Sequence, residues 1–357
     1  MALSLDTYRL LGRSGLRVSP MALGAMTFGT DWGWGADKAE ARRIFETYTA
    51  RGGNFIDTAS QYTNGTSEEW LGEFAAAERE SLVLATKYSS ARRLADPNSG
   101  GNHRKSMVAS VESSLRRLRT DYLDVLYVHM WEGLTPVAEM LRGLDDLVRA
   151  GKVLYLGISN TPAWQVSRMQ TVAELRGWSP LIALQVEYNL VERTAERDLM
   201  PMAQEMGLGV VAWSPLAGGV LTGKYDRADV ADPSTASAAG TSRKNLVVAN
   251  GSLTERAVAI ADVVAAVADE LGATPARVAL AWTLRNPALT ASILGARTAR
   301  QLEDNLGALT LPLEDGHVAR LERATAVELG YPHDFLTRPQ ARRNMFGDTR
   351  IQERPRV

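Results

Sequence analysis

The feature that most constrains this chain is a series of eight short apolar segments separated by helix-like stretches. They are MALGAM (21–26), NFIDT (54–58), LVLATK (82–87), LDVLYVH (123–129), VLYLGIS (153–159), LIALQVE (181–187), LGVVAWS (208–214) and TASILGA (290–296). Each has strand length and is nearly continuous in apolar residues rather than alternating. Strands of that kind need cover on both faces, as in a parallel sheet wrapped by helices. Eight strand–helix units in a chain of 357 residues predict an α/β fold closed as one (β/α)8 TIM barrel, in preference to an open doubly wound sheet. The G-x-G-x-x-G that would follow the first strand of an open dinucleotide-binding sheet is missing.

Smaller signals fit that frame. YRLLGRSGLRVSP reads as a β-hairpin turning at Arg13-Ser14-Gly15, ahead of the barrel. Asp37 with Glu40 three residues on resembles a capping box, and Thr274-Pro275 sets a cap residue before a proline at the first helical position. Gly52, Gly151 and Gly207 follow helical stretches, where a left-handed residue ends a helix. We expect residues 1–357 to form a single barrel domain with two additions. One is an insertion at 225–252, rich in Ala, Ser and Asp, read as a lid. The other is an arginine-rich C-terminal extension over 330–357.

With 40 basic and 41 acidic residues, no net field would gather polyanions, so the expected partner is a small molecule rather than nucleic acid or an anionic membrane. Absence of cysteine removes thiolate chemistry, and four scattered histidines (His103, His129, His317, His333) argue against a histidine-rich metal site. Asp6 and Arg9 interrupt the first residues before a signal-length apolar run, and no later run is long enough to span a bilayer. A cytoplasmic location is the expectation.

In barrels of this kind, side chains at the C-terminal strand ends share one mouth. Asp57 closes the second segment, Lys87 the third and His129 the fourth, while Tyr62 lies in the loop beyond Asp57. Each has a bland reading on its own: a loop cap, a snorkelling lysine, a core histidine. Together they suggest chemistry. A buried ammonium needs the Asp57 carboxylate, and a cation beside Tyr62 favours phenolate and lowers the phenol pKa from about 10. A phenol of that kind with a nearby cation and an imidazole, but no nucleophile or metal, suits reduction of a carbonyl, where charge grows on oxygen and must be met by hydrogen bonds and a proton. Side chains cannot supply the reducing electrons, so a nicotinamide or flavin is required.

At this point the residues resemble the aldo-keto reductase superfamily from LGRSGLRVSPMALGAMTFG to ILGARTARQLEDNLGAL, nearly the whole chain. The resemblance implies that Asp57, Tyr62, Lys87 and His129 are the catalytic four, with Tyr62 the acid in reduction and base in oxidation. It implies that Ser159, Asn160 and Gln185 hold a nicotinamide carboxamide, that Trp213 stacks on its ring, and that Ser214, Leu216 and Gly218 line the diphosphate. Gly24, Met26, Asp57, Lys224 and Gly295 join the cofactor contacts, again by resemblance. Arg297 and Thr298 would clasp a 2′-phosphate at a helix start, with Gln301, Asp304 and Asn305 around the adenosine, so NADPH (NADP+) is the expected cofactor. HMWE resembles the branch related to potassium-channel β subunits and bacterial general-stress reductases.

The substrate pocket would draw on Met26, Trp32, Trp34, Tyr88, Met130 and Trp131, an aromatic wall suited to flat or apolar carbonyl compounds. Two other readings stand beside the reductase. One is a cofactor-binding regulatory module like the channel β subunits. The other is a glycoside hydrolase using Asp57 and Glu187 as acid and base.

Overall fold

The computed structural model describes residues 3–231 and 243–351. The chain divides into two compact units, Met1–Thr325 and Ala326–Val357.

The first unit opens with β1 (Arg9–Leu10) and β2 (Arg17–Val18), an antiparallel pair. The predicted turn joins them, and Ser14 Oγ donates back to the Leu11 carbonyl at 2.7 Å. Eight parallel strands then close a barrel: β3 (Met21–Gly24), β4 (Phe55–Asp57), β5 (Val83–Tyr88), β6 (Leu123–Val128), β7 (Val153–Ser159), β8 (Leu181–Glu187), β9 (Gly209–Trp213) and β10 (Leu289–Gly295), with β10 pairing back to β3. All eight apolar segments become these strands, VLYLGIS and LIALQVE without a residue's difference.

The helices α1 (Lys38–Thr49), α2 (Thr66–Phe74), α3 (Arg104–Leu118), α4 (Val137–Arg149), α5 (Ala163–Arg176) and α6 (Leu199–Met206) alternate with the first seven barrel strands. Between β9 and β10 lie α7 (Arg227–Ala231), α8 (Arg243–Ala249), α9 (Glu255–Leu271) and α10 (Pro275–Leu284); α11 (Ala299–Leu306) and α12 (Asp315–Ala324) follow β10. Thr274 caps α10 by accepting from Arg277 N at 3.3 Å. Gly52, Gly151 and Gly207 are left-handed at φ 80°, 71° and 71°. Only half of the predicted capping box forms. Asp37 accepts from Glu40 N at 2.9 Å, but the Glu40 carboxylate turns away to accept from Ala299 N at the start of α11, 2.7 Å off. Part of the predicted lid, 232–242, lies outside the described residues; the described parts are helical and tied by Lys244–Asp229 and by Arg227–Asp262 at 3.1 Å.

Two apolar layers hold the barrel. Leu23, Ile56, Leu84, Leu126, Leu156, Leu184, Val210 and Leu294 point outward, one from each strand, into the layer beneath the helices. Phe55, Val83, Val125, Ile182, Val211 and Ile293, with small alanines between them, fill the interior. The two sets follow the period of two that a strand imposes on its side chains, except on β8, where a register shift against β7 puts Ile182 beside Ala183 in the inner set. Leu11 and Val18 of the hairpin belong to the inner set and plug the N-terminal end. The hairpin backbone sits close there: a Cβ on left-handed Gly12 would stand 2.3 Å from the Ile182 carbonyl oxygen. With that end filled, the C-terminal end is left for a site.

In the second unit, α13 (His333–Leu336) and α14 (Pro339–Phe346) leave Tyr331, Phe335, Leu336, Met345 and Phe346 exposed. Among the described residues no helix is long and apolar enough to cross a membrane.

Candidate active site

The alternation that sends Phe55, Val83, Ala85 and Val125 inward carries on to the strand ends, where the same column turns polar. Asp57, Lys87, His129, Ser159, Gln185 and Trp213 are its last members on successive strands. Lys87 is 1% exposed and Asp57 2%. The Lys87 ammonium has three acceptors. It forms an ion pair with Asp57 Oδ1 and donates to the Thr58 carbonyl at 2.8 Å and to the Tyr62 hydroxyl at 3.3 Å. The other Asp57 oxygen accepts from Gln185 Nε2 at 2.8 Å. The buried charge is therefore paired and hydrogen-bonded on every side that matters for its stability.

Tyr62 is brought to this group by a strapped loop. Ser60 N donates to the Lys87 carbonyl at 3.1 Å, and Thr63 Oγ1 donates to the Phe28 carbonyl at 2.7 Å. The chain then reverses through three left-handed residues, Thr63, Asn64 and Gly65 (φ 46°, 58° and 105°), which explains the Thr-Asn-Gly sequence. From behind, Arg117 donates to the Ser60 carbonyl at 3.2 Å and pairs with the fully buried Glu68, which accepts from Thr86 Oγ1 at 2.6 Å. The sequence reading missed Glu68 and Arg117, because their partners lie dozens of residues away.

The His129 ring stands edge-on to the Tyr62 ring, centroids 6.0 Å apart. Its backbone N donates to Ser89 Oγ at 3.1 Å, as does Met130 N. Ser89, also missed, sits at φ 105°, a conformation rare for a residue with a side chain. Burial, and then the neighbouring Lys87 charge, push the His129 pKa down to about 3. The imidazole is neutral at ordinary pH, and because its buried Nδ1 has no partner among the described residues, we assign the proton to Nε2.

The expected acidification of Tyr62 is not what the site produces. Burial raises the phenol pKa above its ordinary value; Lys87 pulls the other way, and Asp57 pushes it up again. Counting charges without desolvation gave the wrong sign. Burial also weakens the Lys87 ammonium, but Asp57 and Tyr62 outweigh it and hold its pKa above the usual lysine value. Both protons are thus retained at neutral pH.

Ser159 Oγ and Trp213 Nε1 are buried without a partner among the described residues, which leaves hydrogen-bonding capacity at the mouth for a ligand. Asn160, at φ 46°, donates from Nδ2 to the His129 carbonyl at 2.9 Å. Asn160, Glu187, Glu192 and Trp213 line a cavity of about 240 Å³. Ser214 (φ 53°), Ala217 (φ 49°), Gly218 (φ 64°) and Gly219 (φ 99°) make a chain of left-handed turns beyond Trp213, around the half-buried Leu216. Ser214 Oγ accepts from Gly218 N at 3.1 Å. Gly218 faces Val247, whose methyl would lie 2.7 Å from an added Cβ, and the Lys224 ammonium lies across Gly219. Gly24 is packed under Ile293, whereas Gly295, its register partner, is exposed with open space before it. Met26 is half-buried just past β3.

At the start of α11, Arg297 and Thr298 are exposed. Thr298 caps the helix by accepting from Gln301 N at 3.1 Å, and Gln301 Oε1 accepts from Arg297 N at 2.9 Å. Asn305 is buried. The Asp304 carboxylate accepts from Thr274 Oγ1 at 2.8 Å and pairs with Arg277 at 2.9 Å, tying α11 to α10.

Of the expected substrate wall, Trp32 stands edge-on to Tyr62 at 6.4 Å and packs on Trp34 at 5.7 Å, while Met130 is exposed. Trp131 packs edge-on against Trp164 at 5.5 Å; Trp164 was not foreseen. Tyr88 is not part of the wall. It follows inward-facing Lys87, so it points out under the helices, 1% exposed, with its hydroxyl toward the Asn102 carbonyl at 3.4 Å.

A hydrolytic carboxylate pair finds no support here. Asp57 is occupied by Lys87 and Gln185. The Glu187 carboxyl is pushed up to about 7, by burial and then by Glu192, a second carboxylate rather than a substrate site. Among the described residues no cluster of three His, Cys, Asp or Glu side chains could hold a metal ion.

Comparison with known proteins agrees with this geometry. The family model described as "Aldo/keto reductase family" matches residues 20–326. The chain is 37% identical over 333 residues to the norsolorinic acid reductase stcV of Emericella nidulans, covering 90% of this chain and 82% of that protein. It is 36% identical over 345 residues to the aldo-keto reductase ausK of Aspergillus calidoustus (93% and 85%). An aryl-alcohol dehydrogenase of Pestalotiopsis microspora is 36% identical over 342 residues (93% and 85%). With a closed eight-stranded barrel, a paired lysine and tyrosine at its mouth and these relatives, the chain belongs to the aldo/keto reductase family of oxidoreductases.

Proposed function

We propose that the protein reduces aldehyde or ketone groups of aromatic compounds to alcohols, with NADPH as reductant and Tyr62 as proton donor. The observation that carries the reading is the Lys87 ammonium held by Asp57 and Thr58 with its third hydrogen bond on the Tyr62 hydroxyl. Members of the family generally use NAD(P)H, and a reduced nicotinamide, when bound, supplies two electrons and a hydrogen to the carbonyl carbon.

The residues of the chain do the rest. Ser159 Oγ, with its unmet hydrogen-bonding capacity, and Trp213 suit a carboxamide and its ring. Lys224, the left-handed turns at 217–219 and exposed Arg297 suit phosphates. The raised phenol pKa keeps the proton on Tyr62 until a carbonyl oxygen gains charge beside it; Lys87 then stabilises the phenolate left behind. Neutral His129 donates from Nε2 to the same oxygen and orients it. The aromatic wall and the aryl-alcohol dehydrogenase relative favour an aromatic substrate.

Titration with NADPH and NADH, followed by a screen of aldehydes, ketones and quinones for consumption of reduced nicotinamide, tests this reading. NADPH binding with turnover of aryl aldehydes is expected. Tight NADPH binding without turnover of any carbonyl compound would replace it with a regulatory role.

A further inference from the structure

The aromatic side chains at the mouth form a row rather than a patch. Trp34 packs on Trp32 at 5.7 Å, Trp32 meets Tyr62 edge-on at 6.4 Å, and Tyr62 meets His129 edge-on at 6.0 Å. Beyond His129, Trp131 meets Trp164 edge-on at 5.5 Å and 86°. Trp34, Trp32, Tyr62 and His129 are in successive contact, and the Trp131–Trp164 pair begins two residues past His129.

The Trp131–Trp164 pair is built into the strand-end layer. The Asn160 side chain donates to the His129 carbonyl at 2.9 Å, and the Asn160 carbonyl accepts from Trp131 N at 3.5 Å, so the β6 and β7 loops share one support. Trp164 stands one residue into α5, four past Asn160. It is 59% exposed. One indole out of the core means little by itself. Here it is held at right angles to a second indole that lies two residues past His129, and its edge-on packing leaves much of the ring open. Met130 and Leu134, on the same loop as Trp131, are also exposed, so that loop presents apolar surface.

We propose that Trp164, with Trp131, forms an outer platform for the distal ring of a substrate whose carbonyl is attached to a fused, flat aromatic system. The inference rests on the reductase reading above and sharpens its substrate class. A single-ring carbonyl compound placed at Tyr62 and His129 ends before the platform. A compound with two or three fused rings reaches it and gains an aromatic contact of about 0.5–1.5 kcal/mol, roughly 2–12-fold.

The test uses the full chain and three aldehydes, benzaldehyde, 2-naphthaldehyde and 2-anthraldehyde, with Trp164→Ala and Trp164→Phe. The parent should rise in kcat/KM with ring number. Trp164→Ala should leave benzaldehyde within twofold and lose roughly 5–10-fold on the larger aldehydes, mostly in KM, with NADPH affinity unchanged; Trp164→Phe should recover part of the loss. An equal loss on all three aldehydes, or none on the larger two, overturns the proposal while leaving the reductase reading intact. A parent that turns over none of them overturns both.

Discussion

Replacing Lys87 with methionine would leave the Asp57 carboxylate buried with Gln185 Nε2 as its one remaining side-chain partner described here. Breaking a buried pair from one side costs about 3–5 kcal/mol, because the stranded charge keeps its desolvation penalty. Asp57 at 2% exposure gains nothing from water in place. For a chain of this size that loss lowers Tm by about 4–7 °C. The double variant Asp57→Asn/Lys87→Met removes the stranded charge and keeps an acceptor for Gln185. It should recover stability to within about 1–2 kcal/mol of the parent.

Activity should behave differently. Both variants lack the ammonium on the Tyr62 hydroxyl, so both should lose about a hundredfold or more of carbonyl reduction. Thermal melts and consumption of reduced nicotinamide check both arms. Lys87→Met melting with the parent, or the double variant melting no higher than the single, would refute the argument that this pair is held by mutual need.

Other expectations can be read from the same geometry. Tyr62→Phe should bind NADPH as the parent does and lose roughly 10²–10⁴-fold in reduction, measured by cofactor fluorescence and turnover. The His129 pKa in the fold, about 3, lies below its unfolded value near ~6.5. Its contribution is therefore complete above that value and declines by about 1.4 kcal/mol per unit as pH falls toward 3. His129→Gln should flatten this dependence in urea unfolding. Arg297→Ala should raise the Kd for NADPH about tenfold and leave NADH unaffected, whereas Glu40→Gln, by removing a carboxylate from the start of α11, should shift the preference further toward NADPH. Arg117→Met should lower kcat without weakening NADPH binding, since it frees the Ser60 carbonyl behind Tyr62 and strands Glu68.

The strands were legible because a parallel barrel covers both faces of each one, so that a run such as LDVLYV is buried along its whole length. The polar strand ends were legible for a related reason: Asp57, Lys87 and His129 interrupt those runs where the interior meets the mouth. What could not be read was direction and distance. Tyr88 sits one position from Lys87 and so faces the other way, which a motif cannot tell. Glu40 spaces like a capping residue, yet its acceptor role is filled by Ala299, 259 positions on. Asp304 also ties α11 to α10 through Thr274 and Arg277, a link that no spacing signals. The Tyr62 pKa depends on burial, which a sequence does not carry.

The sign of that shift bears on how the site works. A phenol lowered toward neutrality would lose part of its proton in the resting site and protonate a carbonyl oxygen less often. On the proposed reading, a buried phenol with a raised pKa would stay loaded, and Lys87 would act where its charge is needed, on the phenolate formed as the proton leaves. Asp57 limits this help: its carboxylate offsets the ammonium in the resting site, and Gln185 in turn binds that carboxylate. The pH dependence separates the two accounts. With a raised pKa, reduction should hold through neutral pH and fall only at or above the ordinary phenol range near ~10, while oxidation of the alcohol, which needs the phenolate, should rise over the same range. A reduction rate that falls between pH 7 and 9 and follows Tyr62, as judged by loss of that break in Tyr62→Phe residual activity, would show that Lys87 outweighs burial after all.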